Sequence, residues 1–338
     1  MAATILDLIA LTQLTPSTYV SLLPPEKMGN AANIAYGGCA MAVGINAACL
    51  SVGPSYRLYS ALGSYLGPAL TDRILHVHVR VIRDTRTFAT RLVEVSQMQD
   101  SGTSRPCMTF LADFQVPERA TLMTYSTPPS MTYTPRSLTH SLSETNAKLL
   151  SSGTISPALL AAHDVLFALG SRFFSFHECP ESVFAQNLRG MAKHAPTTQD
   201  SLHVYNKTSA GYLRCKAPLS THGQQMAALA FVADGALSFL PMGHANMSLG
   251  DAAACSSLEF ALRVFGNEVK VGGGGEEGDE LFREMKTVVG GVGRTYSEAR
   301  FWNSKGDMVA SMTQQCILRP WPDGKKQKKG EGVAMAKL

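Results

Sequence analysis

Residues 226–241 read MAALAFVADGALSFLP, an almost unbroken apolar stretch with one acid, Asp234, in its middle. A run of this kind suits a helix buried on every side. An ionised carboxylate set into it is costly unless a partner or a raised pKa relieves it. Asp234 therefore marks either the turn that the dipeptide Asp234-Gly235 spells or a side chain with a task.

A second segment of the same character lies earlier. AYGGCAMAVGINAACLSVG, residues 35–53, opens on Gly37-Gly38, carries no charge and is rich in small residues. Strand-like stretches follow it at 57–66, 73–84, 87–97 and 105–115. In 73–84, Ile74, His76, His78, Arg80 and Ile82 alternate with Leu75, Val77, Val79 and Val81, the period-2 pattern of a strand with one buried face. The order returns later: a strand around 202–217, the apolar segment 226–241, then strands at 256–266, 294–304 and 307–319. A buried helix followed by long antiparallel strands, twice over, predicts an α+β chain with the double hot-dog layout, two tandem domains that each wrap a curled antiparallel sheet around a long buried helix.

The expected boundaries are 1–125 for the N-terminal hot dog, 126–165 for a Ser/Thr/Pro-rich linker or surface excursion, 166–320 for the C-terminal hot dog and 321–338 for a flexible basic tail. An amphipathic segment, Ile5 to Leu14, and a loop marked by Pro16, Pro24 and Pro25 are expected to precede the first helix. VGGGGEEGDE, 271–280, is expected to be a mobile loop between strands.

Composition narrows the function classes. The chain has 338 residues, 45% of them apolar, and a formal charge of +4. Lys325, Lys326, Lys328, Lys329 and Lys337 crowd the end of the tail, so the body is close to neutral, which argues against nucleic acid as a partner. The seven cysteines show no CxxC pair and no His/Cys cluster at metal-ligand spacing. They read as reduced thiols of an intracellular protein, and neither a metal nor a cofactor is expected. His76 and His78 lack an evident third ligand. The N-terminus has no basic n-region and carries Asp7 in its apolar part, unlike a secretion signal. No apolar run reaches membrane-spanning length. The final Ala336-Lys337-Leu338 is a variant of the Ser-Lys-Leu peroxisomal address, which predicts the import receptor as a partner and the peroxisome as the location.

Several stretches in this order carry a family likeness. YGGCAMA (36–42) looks like an aromatic-Gly-Gly helix start, and SYLGPAL (64–70) like a strand ending Tyr-Phe-Leu-Arg-Pro-Gly. VIRDTRTFATRLVEVSQ (81–97) is similar to an Arg-Asp-Gly-Arg-Ser-Phe block followed by a strand, and FLADFQVPE (110–118) closes the first hot dog. LAFVADGALSFLP matches an Ala-Ser-Asp segment, and GDMVASMTQQCILRP a last strand of the form Asp-Gly-x-Leu-Val-Ala-Ser-x-x-Gln-Glu. Together they resemble the type II acyl-CoA thioesterases, enzymes with tandem hot-dog domains that hydrolyse acyl-CoA to free acid and CoA. The likeness spans most of 30–120 and 205–320.

The resemblance implies that an Asp, a Ser or Thr and a Gln hold and activate the attacking water, here Asp234, Ser257 and Gln314. The residues give partial support of their own. On the last strand Met308, Ala310, Met312, Cys316 and Leu318 share a face with Gln314, and a lone amide on an apolar face needs a hydrogen-bond partner. Ser257 fits less well, because simple alternation turns it away from the face of Leu258, Phe260, Leu262 and Val264 and turns Ser256 inward; a bulge would restore it. Gly37 and Gly38 open a helix whose N–H groups can polarise a carbonyl, and equally form a close-packing pair. Arg83 and Arg86, with Arg91, offer charge for CoA phosphates or are solvated strand ends.

The chain departs from the family pattern at Glu259-Phe260 and Arg263-Val264-Phe265, at Gly67 and at Gln315-Cys316. These departures, expected beside the acyl or CoA channel, motivate an unusual acyl group, polyketide-derived or branched, as in secondary rather than ordinary fatty-acid metabolism. They also motivate an alternative, a non-catalytic acyl-CoA-binding hot dog. A hot-dog dehydratase or hydratase is a third reading and requires a His near the acid. Hot-dog sheets commonly pair, so a homodimer is expected.

Overall fold

The computed structural model describes residues 1–29, 32–272 and 279–322. The chain opens with one helical turn, α1 (Ile5–Leu8), capped reciprocally by Thr4 and Asp7. A hairpin of β1 (Leu11–Thr15) and β2 (Thr18–Ser21) follows. Then come α2 (Gly37–Leu50), β3 (Arg57–Tyr65), β4 (His76–Asp84), β5 (Phe88–Met98) and β6 (Ser104–Gln115). The middle of the chain supplies β7 (His140–Ser141), α3 (Leu142–Ser151), α4 (Pro157–Leu166), α5 (Ala168–Phe173), β8 (Phe174–Glu178) and α6 (Val183–Gln186). The second helix-and-strand set is β9 (Ser209–Cys215), α7 (His222–Ala233), the short α8 (Leu240–His244), β10 (Ala252–Val264), β11 (Leu281–Gly291), β12 (Arg294–Trp302) and β13 (Met308–Pro320).

The strands form one sheet in the order β1-β2-β4-β5-β6-β3-β10-β13-β12-β11-β9-β8-β7, with antiparallel neighbours throughout. Outward from the central β3–β10 pair the order is the same on both sides: β3, β6, β5, β4, β2 on one and β10, β13, β12, β11, β9 on the other. Each half wraps one buried helix, α2 or α7, so the architecture is the double hot dog.

Both helices are apolar all round because they lie inside. Every residue of α2 from Gly38 to Ala48 is buried, as is every residue of α7 from Met226 to Ala233. They pack on each other antiparallel. Tyr36, before α2, meets Phe231 near the end of α7 edge-on at 5.1 Å, while Asn46 and Cys49 lie against Gly223 at the start of α7. Small residues permit this approach: a Cβ on Gly38 would stand 2.8 Å from the Phe231 carbonyl oxygen and 2.4 Å from the Tyr36 ring.

Four expectations differ from the structure. The segment 5–14 is a single turn followed by strand, and the proline-marked loop contains β2; β-branched Thr12, Thr15, Thr18 and Val20 favour the hairpin. The excursion 126–165 holds β7, α3 and most of α4, whose start signals sit inside a composition that reads as loop: Ser141 and Glu144 form a capping box, and Ser156, ahead of Pro157, accepts from the Leu159 N–H. Part of it straps down on the second hot dog, since Ser130 and Tyr133 donate to the buried Glu284 carboxylate at 2.7 and 2.8 Å and Trp302 Nε1 donates to Thr127 O at 2.8 Å. β11 was not anticipated, because Arg283, Glu284 and Lys286 break the alternation of a strand that is buried along most of its first half. The apolar run 226–241 is two helices with a break after Ala233. Most of the glycine-acid loop and the tail with Ala336-Lys337-Leu338 lie outside the described residues. No helix among those described is long and apolar enough to cross a membrane.

The seam between the halves rests on Gly63. It pairs with Phe110 on β6 and with Phe260 on β10, and the two rings meet across it with centroids 5.9 Å apart. A Cβ there would lie 2.3 Å from the Thr109 carbonyl oxygen, a backbone atom that cannot step aside. Gly63→Ala is expected to lose about 1–3 kcal/mol by overpacking, read as a lowered denaturation midpoint; an unchanged midpoint would show that the seam yields.

Candidate active site

Asp234 is the C-cap of α7, 6% exposed and lining a cavity of about 690 Å³ between the two halves. The antiparallel packing sets its carboxylate against the start of α2. There the Gly38 backbone N–H donates to it, and the partial positive charge of the helix N-terminus favours it. Tyr65 Oη, at the end of β3, donates to Asp234 Oδ1 at 2.7 Å, and Gln314 Nε2 donates to the same oxygen. Tyr36, whose single hydroxyl proton goes to Phe231 O at 2.6 Å, lies beside the carboxylate. Burial raises the Asp234 pKa above the usual carboxylate value, while the bonds from Tyr65, Gln314 and Gly38 oppose that rise. Burial, reinforced by Asp234, pushes both tyrosine hydroxyls up, so they stay protonated donors.

Gln314 is fully buried on β13, and its amide oxygen accepts from Ser257 Oγ at 3.3 Å. Ser257 reaches it through a register shift between Ser257 and Glu259. Ser257 pairs with Cys316 and Phe260 with Gln314, so residues three apart on β10 face the same side. The result is a chain of hydrogen bonds, Ser257 to Gln314 to Asp234, with Ser256, Ser257 and Asp234 all on the cavity wall.

Gly37 lines the cavity, and Gly37 and Gly38 leave no room for side chains beside Tyr65, Tyr36 and the Phe231 carbonyl. Arg83 and Arg86 do not line the cavity. Arg83 lies over the Phe88 ring at 5.3 Å and near Asp113, and Arg86 is exposed at the β4–β5 turn, so the structure gives neither a contact with the site. Arg91 is buried and holds Asp84 and Ser51. The guanidinium groups on the cavity wall belong instead to Arg189 and Arg283. Sequence reasoning passed over these two and over the roles of Tyr36 and Tyr65. A charge on the otherwise apolar start of β11 was the available signal for Arg283; Arg189 sits in irregular chain and offered none. Of the departures, Gly67 lies on the cavity wall as expected, while those on β10 fall differently. Glu259 and Arg263 are exposed, Phe260 and Val264 are in the core, and the cavity wall takes only Ala254 to Leu258 from β10. No group of His, Cys, Asp and Glu among the described residues could hold a metal ion.

Comparison with known proteins follows the same division. Residues 24–115 match the family model for the acyl-CoA thioesterase N-terminal domain, and residues 170–318 the model for the C-terminal domain. No curated protein sequence matches. Among solved structures, a tesB protein of Mycobacterium avium subspecies paratuberculosis is similar at 15% identity and a TM-score of 0.64, covering 94% of this chain and 98% of that one. An acyl-CoA thioesterase II of Mycobacterium marinum is similar at 18% identity and 0.63, covering 95% and 100%. A hot-dog protein of unknown function from Alicyclobacillus acidocaldarius is similar at 14% and 0.64, covering 93% and 97%.

The raised pKa of Asp234 carries a stability consequence. A carboxyl whose folded pKa exceeds its unfolded value, ordinarily 3.8, favours the fold when protonated. That contribution is complete below the unfolded value and is lost as pH rises through the folded one. Asp234→Asn removes the titration. Its melting temperature relative to the unsubstituted protein is therefore expected to climb as pH rises from 4 and then to level off, and a pH-independent difference would refute the assignment.

Proposed function

This chain belongs to the acyl-CoA thioesterase family, and we propose that it hydrolyses an acyl-CoA through a water activated by Asp234. The observation that carries this reading is the hydrogen-bond chain Ser257–Gln314–Asp234, whose two ends lie on the cavity wall. Water attacks the thioester carbonyl carbon, and its proton passes to the Asp234 carboxylate. The C–S bond breaks, and the thiolate takes a proton as Asp234 returns to its ionised form. A thiol's pKa is about 8.5, so the leaving group needs little acid help. The demands that remain are orientation of the water and stabilisation of the oxyanion.

Gln314 is a positioning residue in this scheme, holding Asp234 from behind the cavity wall. Its amide is locked, since Nε2 is committed to Asp234 and Oε1 to Ser257. The first-turn N–H groups of α2 stand where a carbonyl oxygen gains most from them; Gly38 serves Asp234, and Gly37 lies on the cavity wall. Small residues, Gly37, Ala40, Gly67, Ala69, Gly170 and Ala254, widen the wall. That width supports a branched or polyketide-derived acyl group over a plain chain. The non-catalytic reading loses its main support, because the altered residues Glu259 and Arg263 face away from the cavity. The dehydratase reading lacks its base: no histidine lines the cavity among the described residues.

Purified protein should release CoA thiol from a panel of acyl-CoAs. Asp234→Asn and Gln314→Ala should lower kcat by roughly 10²- to 10⁴-fold, the range for a positioned base. Ser257→Ala should cost about tenfold, one neutral hydrogen bond. A kcat unchanged in Asp234→Asn would sink the mechanism.

A further inference from the structure

The cavity wall carries two arginines, Arg189 and Arg283, with Phe167, Gly170, Phe176 and Phe231 on the same wall. Arg189 is 12% exposed, with its guanidinium carbon 5.4 Å from the Phe167 ring centre and 5.3 Å from that of Phe176. Its Nη2 donates to Glu178 Oε1 at 3.2 Å, while its Nε is buried without a partner. Arg283, 8% exposed, donates from Nη1 to Val232 O at 3.2 Å and forms no ion pair among the described residues. Burial foremost, with Arg189 adding to it and Glu178 opposing, depresses its pKa to about 10.

Two guanidinium groups therefore share one carboxylate, Glu178, in a pocket walled by phenyl rings. Asp234 forms no ion pair with either arginine among the described residues; its carboxylate is bonded by the neutral donors Tyr65, Gln314 and Gly38. A buried cation with no counter-charge is costly. In a ligand cavity such an arrangement marks the point where the ligand brings the opposite charge. The rigid fork of an arginine suits a planar carboxylate held by two parallel bonds.

We propose that Arg189 and Arg283 form a carboxylate-binding subsite for the acyl group, so that the preferred substrates are CoA thioesters of acids bearing a second carboxylate. The inference rests on the reading of the cavity as the acyl-CoA site. An acyl carboxylate is favoured over the phosphates of CoA because Arg189 already holds Glu178, so that Arg283 alone is left without an ion pair among the described residues. The guanidinium groups also lie against phenyl rings inside the pocket, where an acyl group belongs.

The test uses the full-length protein and CoA thioesters matched in length: succinyl against butanoyl, adipoyl against hexanoyl, sebacoyl against decanoyl. The carboxylate-bearing member of at least one pair should have the higher kcat/KM, by roughly 10- to 100-fold, the worth of hydrogen bonds to a charged group. Arg189→Met and Arg283→Met should remove that preference chiefly through KM. Arg283→Lys, checked for an unchanged melting temperature, keeps the charge without the fork and stands in should Arg283→Met fail to fold. No preference in any pair overturns the proposal. So does an equal loss for both members in the variants with pantetheine thioesters unaffected, which assigns the arginines to the CoA phosphates. Should the protein hydrolyse none of these thioesters, the catalytic reading fails separately. Calorimetry then decides the subsite: tighter binding of sebacoyl-CoA than of decanoyl-CoA, lost in Arg189→Met, supports it, and equal binding refutes it.

Discussion

The antiparallel contact between α2 and α7 is the constraint on which the remaining structure depends. A carboxylate at the C-terminal end of its own helix is unfavourably placed, because the helix dipole is negative there. Packing α7 against α2 head to tail reverses the environment: the end of α7 meets the start of α2, and Asp234 receives the Gly38 N–H. The approach requires the absence of side chains at Gly37 and Gly38, and it requires Tyr36 to bridge to the Phe231 carbonyl. The two halves of the sheet follow from the same contact, since each curls around its own helix and joins the other at β3 and β10. The cavity is what the joint leaves open.

Much of this was legible in the sequence because burial on all sides leaves a strong signature. Segments 35–53 and 226–241 stand out as uncharged or nearly uncharged runs, and the long strands behind them keep their alternation. The hairpin β1–β2 and the helices α3 and α4 were not legible, for physical reasons. In the first, one capped helical turn precedes β-branched residues whose preference emerges only when β4 pairs with β2. In the second, helices of low apolar content are set in a chain whose serine and proline serve as caps. β11 was hidden by Arg283 and Glu284, charges tolerated inside because a helix carbonyl and the Ser130–Tyr133 strap satisfy them.

At the site, legibility depended on whether a residue's position follows from local periodicity. Asp234 and Gln314 interrupt apolar patterns, so each poses its own question, and a 2.7 Å bond from Tyr65 and the bond from Gln314 answer it together. Ser257 could be placed only by the register shift, because counting along β10 sends it to the wrong face. Tyr36 and Tyr65 look like ordinary aromatic core residues until a carboxylate 169 positions away from Tyr65 is brought against its hydroxyl. No sequence window contains that relation.

The two tyrosines also bear on how the acid works. A carboxylate buried this deeply is drawn toward its neutral form, which cannot accept a proton from water. Donors that bond to the charged form restore its ionisation, and here they come from α2, β3 and β13 at once. The strand pattern that SYLGPAL resembles has Phe at the position of Tyr65 and Arg at that of Gly67. At these positions the chain thus gains a neutral donor onto the acid and lacks a charge beside it. Asp234 accordingly forms no ion pair among the described residues and is bonded by neutral donors alone. An ionised base relieved by neutral hydrogen bonds keeps its basicity better than one held by a guanidinium, because an adjacent cation lowers a carboxylate's pKa by as much as one to three units. Relief by neutral donors in place of an ion pair therefore leaves the acid able to accept a proton.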